Sequence, residues 1–138
     1  MVNTAYLQVS TNGDTDIHDI TTKVEAEILR SEVASGLVTV FCPSSTSAVT
    51  TIEFENGCLS DFRSLFDEIV NPERPYAHNL RWGDGNGHSH IRAALLGPSL
   101  TVPFSDRKLL LGTWQQIIFV DFDNRPRQRR LVLQVVGD

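Results

Sequence analysis

The run Leu37-Val-Thr-Val-Phe-Cys42 is apolar at every position but Thr39, rich in β-branched residues, and fenced by Gly36 and Pro43. It is too short for a helix, and branched side chains favour extended backbone, so it predicts a buried strand. A buried strand needs partners on its edges and layers on its faces. Ala5 to Val9 alternates like a strand, and a turn at Asn12-Gly13-Asp14 leads to a short extended piece around Ile17. Ala48 to Phe54 reads as another strand, with Ile52 and Phe54 on one face and Thr51 and Glu53 on the other. Ile20, Val24 and Ile28 recur every four residues behind Asp19, a suitable cap, and predict a helix ending at Ser35-Gly36. Leu59, Phe62, Leu65, Phe66 and Ile69 make the clearest amphipathic helix, with Ser60 as its expected cap and Pro72 and Pro75 as its stop. From His90 to Leu96 the apolar spacing fits a helix and a strand equally well.

The C-terminal third is strand-rich. Ser99 to Pro103 and Leu109 to Leu111 flank a turn at Ser105-Asp106, and Trp114 to Phe122 is a long strand. The turn Asp123-Asn124-Arg125-Pro126 leads into Gln128 to Val136, so these last two strands are expected to pair as a hairpin. Strands with two interspersed helices, closing on consecutive antiparallel strands, make an α+β domain. At 138 residues, with no repeat or linker, a single domain over 1–138 is expected. No apolar run approaches the roughly 20 residues of a membrane span. The start of the chain lacks a signal-peptide pattern, so a cytoplasmic protein without a membrane partner is expected. Cys42 and Cys58 fit neither a metal knuckle nor a redox motif and read as free, small buried residues. A net charge of −5 argues against a nucleic-acid partner.

Reactive side chains concentrate between Tyr76 and His90, which holds three of the four histidines: Tyr76-Ala-His78-Asn79-Leu-Arg81-Trp82-Gly-Asp84-Gly-Asn86-Gly-His88-Ser-His90. Read as a glycine-rich loop, it can serve a metal or an acid–base site. On extended backbone His88 and His90 project to one side and can reach one ion. His78 can complete the set, and Asp84 or Glu53 can add oxygen, which would suit zinc or a related divalent ion. No His-Glu-x-x-His spacing is present. Without a metal, His78 or His90 can move a proton, oriented by a carboxylate such as Glu53. Asp84, Asn86 and the glycines either shape a tight turn or present N–H donors to an anion. Ser44, Ser45, Thr46 and Ser47 offer donors to phosphate, although no Walker motif exists. Arg127 and Arg129 share a strand face opposite Arg130, as a guarded strand edge or a phosphate clamp would. Asp61 suits the positive end of a helix. Trp82 and Trp114 read as packing residues.

The series Ser44-Ser45-Thr46, Thr51-Ile52-Glu53, Asp61-Phe62, Tyr76-Ala-His78-Asn79, Asp84-Gly-Asn86-Gly-His88-Ser-His90, Gly97-Pro-Ser-Leu-Thr-Val-Pro103 and Leu111-Gly-Thr-Trp-Gln-Gln116 resembles the YjbQ family, across nearly the whole chain. The resemblance implies an α+β fold of two packed, mostly antiparallel sheets with two main helices, assembled as a homotrimer. It implies a site built from Glu53, Asp61, His78, Asp84, Asn86 and His90. The variable His88 position leaves His78 and His90 as the better pair. Many members carry a histidine where this chain has Ser44. The activity implied is that of a secondary thiamine-phosphate synthase, joining hydroxymethylpyrimidine diphosphate to thiazole phosphate with release of pyrophosphate. On that reading His78 and His90, with Glu53 or Asp84, hold a divalent ion such as zinc or magnesium, or transfer a proton. Asn86 and Asp61 orient a small phosphorylated substrate, and Arg127 and Arg129 contact its phosphate. The rival readings are a non-enzymatic trimer that binds a metal ion or small anion, and a metal-assisted phosphoester hydrolase.

Overall fold

Residues Ile117 to Asp121 are all buried, which a strand with one face in water cannot achieve. The computed structural model, which describes residues 1–138, explains this by layering. Strand β7 (Gln116–Asp121) is the middle of a three-stranded antiparallel sheet in the order β2-β7-β4, with β2 (Asp16–Asp19) and β4 (Ser47–Ile52) at its edges. Its side chains feed two cores in alternation. Ile117 and Phe119 join a cluster with Leu7, Val9, Val38, Val40, Leu131 and Leu133. Ile118 and Val120 join Leu59, Phe66, Ala93 and Phe122 on the other side.

The first cluster lies against a five-stranded antiparallel sheet in the order β1-β8-β3-β5-β6. Its strands are β1 (Val2–Thr11), β3 (Gly36–Phe41), β5 (Ser99–Ser105), β6 (Lys108–Leu109) and β8 (Arg127–Gly137). Helix α1 (Thr21–Ser31) adds Val24 and Ile28 to this core. The second cluster is roofed by α2 (Asn56–Ile69) and α4 (Gly87–Leu96). The α+β class agrees with the pattern of the sequence, the two antiparallel sheets agree with what the resemblance implies, and β3 agrees with the strand predicted at Leu37–Cys42.

Four local expectations are corrected. The strands on either side of Asp123-Asn124-Arg125-Pro126 do not form a hairpin. β7 pairs with β2 and β4, whereas β8 pairs with β1 from Val2↔Val136 to Thr11↔Arg127 and with β3. β7 is covered on both faces, while β8 alternates a buried Leu131, Leu133 and Val135 with the less buried Val132, Gln134 and Val136, so the two belong to different sheets. Helix α1 stops at Glu32, in the left-handed conformation with φ 62°, before Ser35-Gly36. Gly36 instead opens β3 opposite Gly137, where an added Cβ would lie 2.0 Å from the Val136 carbonyl oxygen. Helix α2 begins ahead of Ser60. Its cap is Glu55, whose carboxylate accepts from the N–H of Gly57 at 2.7 Å and of Cys58 at 2.8 Å. Those bonds, the one from Cys58 first, hold the Glu55 carboxyl below its ordinary range.

The fourth correction concerns Tyr76–His90. It is largely helical: α3 (Ala77–Trp82) and α4 are joined by a turn through Gly83, which ends α3 at φ 65°. The His90–Leu96 stretch is therefore helix, and α3 and α4 join the two main helices expected.

The loop before β2 runs through three left-handed residues, Gly13 (φ 82°), Asp14 (φ 56°) and Thr15 (φ 62°). A Cβ on Gly13 would sit 2.4 Å from the Asp123 carbonyl oxygen. Gly13→Ala meets both a disfavoured φ and a backbone clash, and is expected to cost about 1–3 kcal/mol. Urea unfolding measures this; an unchanged midpoint contradicts it.

Candidate functional site

Three segments from different parts of the chain converge at one end of the sheets. They are the β3–β4 loop with Ser44, Ser45 and Thr46, the α3–α4 turn with Asp84 and Asn86 leading to His90 on α4, and the β7–β8 connection with Asp123 leading to Arg127 and Arg129 on β8. Together they enclose an open polar chamber of about 410 Å³ with no hydrophobic residue in its wall.

His78, on α3, and His90, on α4, come together with ring centroids 4.4 Å apart and planes tilted by 44°. The Nδ1 of His78 lies 3.4 Å from Asp84 Oδ1 and makes no hydrogen bond of good geometry. Asp84 Oδ1 also accepts the N–H of Asn86 at 3.1 Å. Asn86 is 4% exposed, and its side-chain oxygen accepts from the Ser89 hydroxyl and from the Asn124 N–H at 3.1 Å. Asn124 in turn donates its amide to the Asp84 carbonyl at 2.7 Å. Asn86 thus staples the start of α4 to the β7–β8 connection, so its side-chain oxygen is already occupied.

The arginines are anchored by carboxylates. Arg129 forks onto the fully buried Asp121, with Nε to Oδ2 at 2.8 Å and Nη2 to Oδ1 at 3.1 Å, and gives a further bond to Thr46 Oγ1 at 2.8 Å. Burial works against the Arg129 charge, but Asp121 outweighs it and raises its pKa. Asp123 is also buried. Its desolvation is outweighed by the Thr46 hydroxyl, Arg127 and the Asn86 amide, which together hold its carboxyl below the ordinary range. Arg127 Nε lies 3.2 Å from Asp123 Oδ2, and its side chain is 36% exposed. Its terminal nitrogens remain free for a ligand.

The structure divides the residues expected to share a site. His78, Asp84, Asn86, His90, Arg127 and Arg129 lie at or beside the chamber. Glu53 lies elsewhere, in a hollow with Asp19, Glu55 and the exposed Trp114. Asp61 is exposed within α2, one turn past its start, and takes no part in the chamber wall. Trp82 and Trp114 are 65% and 72% exposed, so neither is a packing residue.

His88 and His90 do not share a side. On a helix, residues two apart project about 200° from each other, and these two face different cavities. His88 is buried beside Arg92, Asp67 and Thr15, and its Nδ1 lacks a hydrogen-bond partner. No three of the His, Cys, Asp and Glu side chains converge as ligands for one ion. The His78 and His90 rings pack against each other at a tilt, not as parallel faces.

Burial, and then the Arg92 charge, push the His88 pKa below its ordinary 6.5. The unfolded chain then binds a proton that the folded chain refuses, so stability is expected to fall as pH drops below 6.5. His88→Gln should flatten that limb; parallel stability curves for variant and wild type down to about pH 5 would contradict it.

Asp121, Asp123 and Arg92 escaped the sequence reading. For Asp121 and Arg92 the signal was present: charges inside otherwise apolar segments, which persist in a core only when paired. Arg92 is 3% exposed and donates to the carbonyls of Phe66 and Val70, to Asp67 and to Thr15, tying α4 to α2 and to the left-handed loop.

Comparison with known proteins gives a consistent picture. Residues 5–138 match the family model described as UPF0047 protein YjbQ-like. A UPF0047 protein of Methanothermobacter thermautotrophicus is 39% identical over 99% of this chain and 93% of its own length. The UPF0047 protein YugU of Bacillus subtilis is 33% identical over 95% of this chain and 97% of its own. Among solved structures, a YbjQ-like protein of unknown function from Sulfolobus solfataricus superposes with a TM-score of 0.94 at 32% identity, covering 100% of this chain and 99% of that one. A YjbQ/UPF0047 protein of Clostridium acetobutylicum, described as an orthologue of YugU, gives 0.88 at 32% identity over 96% of this chain and 99% of its own.

Proposed function

The chain belongs to the YjbQ-like UPF0047 family, and from that premise we propose that it is an acid–base enzyme acting on a small phosphorylated molecule held in the polar chamber. The observation that carries this reading is the double membership of His90. Its ring lines the chamber that contains the arginines and hydroxyls, and it packs at 4.4 Å on His78, which faces Asp84. A proton carrier at the wall of an anion pocket is what phosphate leaving-group chemistry requires.

The reaction proposed is the one the resemblance implies. The thiazole nitrogen forms a bond to the pyrimidine methylene carbon as the carbon–oxygen bond to diphosphate breaks. The electron pair leaves with pyrophosphate. Arg127 and the hydroxyls of Ser44 and Ser45 take up the charge that develops there, and His90 protonates the departing oxygen. Asp84 orients His78, and His78 supports His90. Arg129 holds Thr46 and Asp123 in place. Nothing in this scheme requires a metal ion.

The test is formation of thiamine phosphate and pyrophosphate from the two precursors by purified protein, in wild type, His78→Ala and His90→Ala. Turnover lost in both folded variants supports the assignment. No turnover in wild type overturns the transferase reading, and diphosphate binding without turnover would identify a small-anion-binding protein instead.

The same premise extends to assembly as a homotrimer. Its support is an apolar outer face on the larger sheet, where Tyr6 and Leu37 are each 49% exposed, Phe41 41% and Val136 45%. Leu37→Glu is expected to dissociate the assembly in light scattering; a wild-type monomer would contradict the trimer.

A further inference from the structure

The polar chamber opens sideways. His90, Ser44 and Ser45 line it and also line an adjoining pocket of about 240 Å³, completed by Ser47, Ala93, Ala94 and Pro98. The two spaces differ in chemistry. The chamber wall carries two arginines and two aspartates. The adjoining wall carries methyl groups and a proline ring, and its one titratable side chain is His90.

Local structure explains the second space. Ala93 and Ala94 follow His90 by three and four residues on α4, so all three occupy one helix face. Small side chains one turn beyond the imidazole leave a hollow that leucine would fill. Pro98 closes it, just past the helix end where the N–H of Gly97 bonds the Ala93 carbonyl at 2.8 Å. Ser47 adds a further sign. It is 1% exposed, its hydroxyl has no hydrogen-bond partner, and it stands in this wall. An unpaired buried hydroxyl is costly, and such a group persists readily where a ligand completes it.

We infer that the adjoining pocket is a second subsite, holding a compact apolar or aromatic group of the ligand whose phosphate occupies the chamber, with His90 between the two. Ala94 sets the size of that group. The inference rests on the phosphate-binding reading of the chamber and adds to it: the natural ligand is an organic phosphate, because inorganic phosphate or pyrophosphate fills the chamber alone.

The test is calorimetric titration of wild type and Ala94→Leu with inorganic phosphate and with benzyl phosphate. Ala94 is exposed, so leucine there leaves the fold intact, which thermal melting checks. Wild type is expected to bind benzyl phosphate about tenfold more tightly than inorganic phosphate, from burial of the ring. In Ala94→Leu that preference is expected to vanish while inorganic phosphate binds as before. Equal affinities in wild type, or a preference that survives Ala94→Leu, overturn the second subsite and leave the phosphate reading standing. If neither phosphate binds wild type, both readings are overturned.

Discussion

Asp121→Ala is expected to lower the stability of the fold by about 3–5 kcal/mol, a large part of what a domain of this size has. Asp121 is fully buried at the end of the central strand. It accepts two bonds from Arg129, the hydroxyl of Thr11 at 2.6 Å and the N–H of Asp123 at 3.1 Å. Alanine would leave the Arg129 guanidinium facing a cavity and leave the Thr11 hydroxyl only its longer bond to the Arg127 carbonyl at 3.3 Å. The pair spans the two sheets, since Asp121 closes β7 and Arg129 belongs to β8. Its loss would therefore loosen the wall of the chamber as well as the core. Urea unfolding of the variant measures the cost, and a loss under about 1 kcal/mol would place this pair with ordinary surface ion pairs.

His90→Gln is expected to reduce turnover by about 10²–10⁴-fold with melting unchanged. Glutamine keeps hydrogen-bonding capacity and approximate size but cannot carry a proton. Asp84→Asn should have a smaller effect, because in the proposed scheme Asp84 orients His78. Its signature would be a changed pH profile with little change in substrate affinity. A His90→Gln variant with wild-type turnover would remove His90 from the chemistry.

How much of this was legible beforehand depended on whether the determining force was local. The strand at Leu37–Cys42 and the helix carrying Leu59, Phe62 and Phe66 were readable because their periodicity answers to one buried face. The pairing of β7 with β2 and β4 was not. The Asp123–Pro126 turn is a good local hairpin signal, but burial of β7 on both faces is a property of the assembled layers. The His78–His90 pair was readable as chemistry, and its company was not. An extended reading of His88-Ser89-His90 put both rings on one side; helical backbone separated them into different cavities. Glu53, expected beside the histidines from its strand face and from the resemblance, lies in a hollow with Asp19 and Trp114. Arg127 and Arg129 were readable as sharing a face, and Arg130 indeed takes the other, over the Tyr6 ring at 3.8 Å. Their anchors Asp121 and Asp123 lie in a different sheet or in the connection from it, which only the folded layers bring within reach.

The chamber beside His90 is proposed to hold a phosphate group, met by the terminal nitrogens of Arg127. Calorimetric titration of pyrophosphate into wild type and Arg127→Ala tests this most directly. Saturable binding by wild type, weakened at least about tenfold by the substitution, is the predicted result. No binding by wild type, or equal binding by both proteins, would contradict the account.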